Sequence, residues 1–396
     1  MAQFGDFTVD RNSTKYVLGS GGTIISYATD EPAFEFNADG SYKGLLVEPA
    51  ATNLCLRSED LSTTWTPTNS PTITTNIAVA PDGTTTADGL EDTTGTNYKR
   101  AEQLFTVSAN ATYTASVFVK KETSETAYGG VGLTWSGTAV KTAYFIFDAV
   151  NGTANIVKTV ASASVVVQDY GTYWRFCCTA TDNGSNTTLQ ISLYATLSTN
   201  GTSAGVGIGS VRTYWGAQVE AGPIATSYMP TTISPFTRGK DEASMTNVSG
   251  LIGQKEGTLY LEVDWKAASG TIQVLLEADD GTGSNRILIY NTSGDALFMY
   301  ARAGGATPAT NQGVSSSAYS GIQKIAYAYK TDDFELYVNG SSVSSNTSGS
   351  LAALATLTDI DLGQDYAANV QANMHIRAVQ IIPRRLSDAQ LIELTS

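Results

Sequence analysis

The chain holds few side chains capable of covalent chemistry. His375 is the only histidine, which removes most nucleophile–base triads and every polyhistidine metal centre. It lies in a strand-like run leading to Ile376 and Val379, where a lone neutral imidazole is packed or solvated. The three cysteines, Cys55, Cys177 and Cys178, are odd in number and two are adjacent, so they give neither a disulfide framework nor a zinc spacing and read as buried free thiols. Two acid pairs remain, Asp279-Asp280 before Gly281 and Asp332-Asp333. Both fall where the chain must turn, and Asp favours turns through bonds to its own backbone. No catalytic residue and no metal ligand is assigned.

Binding chemistry is better provided for. A sugar offers an apolar face to aromatic rings and a hydroxyl rim to amides and guanidinium groups. Where every second residue of a strand is apolar and faces a core, the intervening residues hold whatever the other face presents. By that alternation Phe118, Tyr173, Arg175, Gln190 and Tyr194 fall on the non-core face of a first group of strands, and Tyr300, Arg302 and Tyr337 on that of a second. The competing reading is that such aromatics pair across strands or pack on a neighbouring subunit.

The elements that would position these residues are strands. Tyr113 to Val119 alternates cleanly, as do Thr188 to Tyr194 and Tyr173 to Cys178, where Trp174, Phe176 and Cys178 share a side expected to be core. The pattern lapses between Pro230 and Gly257, a polar stretch with Pro235 and Gly239, and restarts at Thr258 to Trp265. It continues through Arg286 to Tyr290, Leu297 to Arg302, Ile325 to Tyr329 and Phe334 to Val338, where Asn339-Gly340 signals a hairpin. Helical periodicity is confined to the end, where Ser387 and Gln390 form a capping box for one short helix. The first fifty residues carry only short apolar pieces and read as a lead-in.

Composition agrees. The 396 residues exceed one economical core, hydrophobic residues make up 42% and charged residues only 15%. That favours all-β architecture. A net charge of −14 without a Lys/Arg cluster argues against a nucleic-acid partner. No apolar run reaches the length of a membrane span, and Met1 to Asp6 lacks the basic and apolar regions of an export signal. A soluble, uninserted protein is expected.

Gly44 to Leu54, then Arg57 to Leu61 and Trp65, resemble the opening of a family of tailed-phage virion proteins. The likeness continues through Ala80 to Asp88, Trp215 to Gly222 and Ala225 to Thr231. In that family the region is a carbohydrate-binding-module jelly roll. Phe334 to Gly340, Ile360 to Gly363, Ile376 to Pro383 and Leu386 to Leu391 resemble a concanavalin-A-like or laminin-G-like domain. The resemblance implies two consecutive antiparallel β-sandwiches with a short C-terminal helix: an attachment segment over 1–50, a jelly roll over 51–235, a linker over 236–256 and the second sandwich over 257–396. It implies a virion protein assembled in the host cytoplasm, a tail fibre or tail-tip component that contacts other virion proteins and host surface polysaccharide. A head fibre or capsid decoration protein is the alternative, and a glycan depolymerase comes last. Phage fibres imply a homotrimer, which outer-face aromatics such as Tyr128, Trp135 and Tyr144 would help to build. Domains of this kind often carry calcium, for which Asp359, Asp361 and Asp365 are the nearest residues in sequence, without a loop motif.

Overall fold

The computed structural model describes residues 6–94, 97–124, 128–198, 210–265, 271–315 and 321–396; Met1 to Gly5, on which the export-signal reading rests, lie outside them. Antiparallel sheets dominate and the one α-helix among the described residues is Asp388–Thr395. In the first sandwich, Thr112–Lys120 lies between Tyr173–Thr181 and Ser210–Ala221 in one six-stranded sheet. The opposing sheet centres on Thr188–Leu197, between Tyr128–Ser136 and Arg100–Thr106. Alternation delivers Tyr113, Ala115, Val117 and Val119 to a core shared with Val131, Leu133 and Trp135 of the facing sheet. Phe147 and Phe176 stack across the gap with centroids 3.9 Å apart. Trp174 packs on this core from its edge, half-buried, with its indole N–H donated to the Ala149 carbonyl. Cys55, Cys177 and Cys178 are buried free thiols.

The second sandwich is two seven-stranded sheets. One includes Asp359–Leu362, Gln273–Asp279, Arg286–Asn291 and Ala296–Ala303; the other is built around Glu256–Trp265 and Met374–Ile382. Both draw strands from the first fifty residues. Tyr42–Val47 pairs with Met374–Ile382, Phe34–Phe36 adds outside it, and Thr8–Asp10 pairs with Glu242–Met245. Phe7, Val9, Leu45 and Val47 are buried in the second core. The expected lead-in over 1–50 is therefore corrected: much of it is sheet of the C-terminal sandwich. The expected linker over 236–256 is corrected too, since Glu242–Met245 is a strand of that sandwich and Phe236–Arg238 pairs with Ala51–Asn53. The first sandwich is thus an insertion in the second, and this two-stranded ribbon is its neck.

A buried ion cluster ties the parts together. Lys15 Nζ lies 2.6 Å from Asp241 and 3.0 Å from Glu48, while Arg11 lies 2.8 Å and Arg238 3.7 Å from Asp241. All five are at most 2% exposed. Glu48 also accepts from the Ser227 backbone of the first sandwich at 2.8 Å. Burial would raise the Glu48 pKa, but the charges of Lys15 and Arg238 overcome it and hold the carboxyl well below its usual range.

Candidate functional site

Five of the eight expected outer-face residues are buried. Phe118 and Tyr173 are fully covered, in a cluster where Leu18 and Ile24 of the N-terminal hairpin pack against Tyr170, Trp215 and Tyr228. Arg175 is 1% exposed and donates to Ser116 Oγ at 2.9 Å. Tyr337 lies beneath the C-terminal helix against Leu386 and Leu391. Tyr194 sits under Tyr98 and Tyr144, with ring centroids 5.7 and 6.2 Å away. Their expected exposure is corrected. Alternation assigned the face, but a face turned away from one core is here covered by another layer. Gln190 is half-exposed, bonded to Glu102 at 2.8 Å. Of the aromatics expected to assist oligomerisation, Trp135 is core, while Tyr128 and Tyr144 pack half-buried around Tyr194.

Tyr300 and Arg302 do lie on the outer face, half-buried. Along Ala296–Ala303 burial alternates strictly, with Leu297, Met299, Ala301 and Ala303 inward and Phe298, Tyr300 and Arg302 outward. The adjacent strand Arg286–Asn291 registers Arg286 with Arg302, Leu288 with Tyr300 and Tyr290 with Phe298. Rings thus meet across the strands: Tyr290 lies 5.5 Å from Phe298 and 6.3 Å from Tyr300. The Arg286 guanidinium sits 5.6 Å from the Tyr300 ring and 5.4 Å from that of Tyr366, which is 39% exposed. Arg302 is anchored by the Gly283 and Gly305 carbonyls at 2.8 and 3.1 Å, and the Tyr300 hydroxyl meets Thr307 Oγ1 at 3.0 Å. The result is a ridge of ring faces with guanidinium donors at one end and phenolic hydroxyls along it, a surface suited to a ligand with both an apolar face and a hydroxyl rim. Sequence reading missed Arg286, Tyr290, Phe298 and Tyr366. The even spacing of 286, 288 and 290 signals a shared face; Tyr366 reaches it from a loop, which no periodicity reveals.

Beside the ridge, Glu277 and Asp279 register with Asp361 and Asp359 on the neighbouring strand. Glu277 is 0% and Asp279 1% exposed. Burial, with the nearby charges of Asp279 and Asp361 adding to it, pushes the Glu277 carboxyl up to about 8 although Arg286 lies 3.4 Å away. Burial raises Asp279 and Asp361 as well. None is open to a polymer substrate. Of the expected calcium residues, Asp359 accepts from the Asn247 N–H, Asp361 from Gln364, and Asp365 from the Asn369 and Val370 N–H groups. Only Asp365 anchors a local turn, and among the described residues no group of three or more His, Cys, Asp or Glu is placed to hold a metal ion. Of the two acid pairs, Asp280 and Asp332 are turn residues, accepting from Thr282 and from the Gly349 N–H, whereas Asp279 ends one strand and Asp333 begins another and pairs with Arg385 at 2.8 Å. His375 is buried against the Glu35 carboxylate, which Lys43 also meets at 3.0 Å. Among the described residues no helix is long and apolar enough to cross a membrane.

Residues 237–392 match a model of the concanavalin A-like lectin/glucanases superfamily. No curated protein matches the chain. Among solved structures, the CBM40 of a Ruminococcus gnavus IT-sialidase is similar at 17% identity and a TM-score of 0.33, over 38% of this chain and 91% of that one. The same module bound to alpha2,3 sialyllactose gives 18% and 0.32 over the same shares. Domains LG4-5 of the mouse laminin alpha1 chain give 10% and 0.24, over 74% of this chain and 90% of that one. Likenesses this loose leave the fold resting on its own strand pairings.

Proposed function

We propose that this chain is a non-catalytic protein of a tailed-phage particle, a tail fibre or tail-tip component that binds host surface glycans through the outer face of its C-terminal sandwich. The observation that carries the glycan reading is the ridge of Tyr290, Phe298 and Tyr300, capped at one end by the paired Arg286 and Arg302. The match of residues 237–392 to a superfamily whose description includes lectins supports it, and the virion setting rests on the sequence strings from Gly44 to Thr231. A binding role rather than cleavage is favoured because Glu277 and Asp279, on the strand beside the ridge, are closed to solvent. Glycoside hydrolysis needs a carboxyl pair in contact with the scissile bond.

A shallow ridge buries little of a sugar, so affinity per subunit is weak and useful adhesion comes from several copies in one particle, with a homotrimer as the proposed unit. Titration of the purified protein against host lipopolysaccharide or capsule, read for binding and for new reducing ends, tests the proposal. Binding without new ends is expected, and Tyr300→Ala should weaken it about tenfold in the multivalent state. New reducing ends would make the protein a depolymerase. Neither binding nor cleavage would leave the head-fibre or capsid-decoration role.

A further inference from the structure

A second cavity, far in sequence from the ridge, has a different chemistry. It measures about 430 Å³ and lies between the N-terminal hairpin and the first sandwich. The hairpin contributes Tyr16 and Ile25, the latter 40% exposed; the sandwich contributes Trp215 and Tyr228, whose centroids are 4.6 Å apart. An isolated antiparallel backbone bridge pairs Tyr16 with Tyr228. Glu59 and Asp82 also line it, and among the described residues no Lys, Arg or His does. Glu59 Oε1 accepts from the Tyr228 hydroxyl at 2.9 Å, and Asp82 Oδ1 from the Thr84 N–H and hydroxyl. Burial raises the Glu59 pKa, and the charge of Asp82 adds to it, as expected for two carboxylates sharing a cavity without a counter-ion. Across Glu59 a second cleft of about 370 Å³ is lined by Ser62, Thr75, Asn76 and Thr86, together with Asp60 and Asp88. There Arg57 is directed to Asp60 at 3.8 Å.

Carboxylates without a cation, next to aromatic rings, form an environment that attracts an organic ammonium ion through charge-assisted hydrogen bonds and ring faces. The polar cleft alongside suits the rest of a sugar. The same acids would repel a sialic acid or uronate. We infer that this cavity binds an amino sugar, with its protonated amine between Glu59 and Asp82 and its ring against Tyr16 and Ile25.

Titration of the full chain at neutral pH with glucosamine, N-acetylglucosamine, glucose and butylamine, followed by NMR, tests this. Glucosamine should bind in roughly the millimolar range and the other three at least about tenfold more weakly, since acetylation and glucose remove the charge and butylamine lacks the ring. Glu59→Gln should weaken glucosamine about tenfold, and so should Asp82→Asn, whose amide oxygen still caps the Thr84 turn and which gives a reading if Glu59→Gln does not fold. Tyr300→Ala should leave glucosamine binding unchanged, so this site and the C-terminal ridge can fail separately. Failure of the wild type to bind glucosamine, equal binding of all three sugars, equally tight butylamine, or undiminished binding by the folded carboxylate variants would each overturn the inference.

Discussion

A carboxyl buried without full compensation makes stability depend on pH in an identifiable direction. An unfolded glutamate titrates at about 4.3, whereas Glu277 in its sheet titrates at about 8. Between those values the folded chain holds a proton that the unfolded chain has released, so this group's contribution falls as pH rises from about 4 to about 8. Asp279 and Asp361 shift the same way. Glu48 runs oppositely: its contribution is present above the unfolded pKa and lost as acid protonates it. The melting temperature should therefore decline from pH 5 to pH 9 in calorimetry, and Glu277→Gln should flatten that decline and gain roughly 1–2 kcal/mol at pH 9; a slope unchanged by the substitution would remove Glu277 as its source. Arg175→Ala, by contrast, should lose about 2–4 kcal/mol in denaturant titration, because the guanidinium is enclosed against Ser116 and 5.3 Å from the Phe118 ring. The sequence assigned Arg175 and Phe118 to the correct faces of their strands, yet nothing local to Phe118 announces Leu18 and Ile24 arriving from the distant N-terminal hairpin.

Elements with a local code were legible. Thr112–Lys120 and Thr188–Leu197 are strands where the alternation placed them, although both of their faces are largely buried, and the helix Asp388–Thr395 begins at the Ser387–Gln390 capping box, with both reciprocal bonds formed. Ser387→Ala should cost about 1 kcal/mol by denaturant titration, with no change in glycan binding, because the helix covers Tyr260 and Tyr337 on the sheet opposite the aromatic ridge. What could not be read was partnership. Phe34–Phe36 and Tyr42–Val47 are short and flanked by turns, as a lead-in would be, and only the unpaired edge of Met374–Ile382 makes them sheet. The candidate site divides the same way: Tyr300 and Arg302 follow from strand phase, while Tyr366 depends on the course of a loop.

For the whole molecule, the ion cluster of Arg11, Lys15, Glu48, Arg238 and Asp241 sits where insertion and host sandwich meet. Asp241→Ala would strand buried cations and should cost about 3–5 kcal/mol, lowering the melting of both sandwiches together, as a calorimetric scan would record. Native mass measurement would test the proposed trimer, whose contacts cannot use Trp135, buried in the first core. The insertion also sets a schedule for synthesis. Leu46 leaves the ribosome long before its partner His375, on the order of half a minute at bacterial elongation rates. Through that interval Tyr42–Val47 waits for Met374–Ile382, and for much of it Thr8–Asp10 waits for Glu242–Met245, while the inserted sandwich can already close on itself. A fragment trimmed to 237–396 would lack those strands, leave two sheet edges bare and tend to aggregate. Because Asn53 and Phe236 face each other across the neck, a chain in which a short turn replaces everything between them should instead fold and stay monodisperse, as a host shorn of its guest.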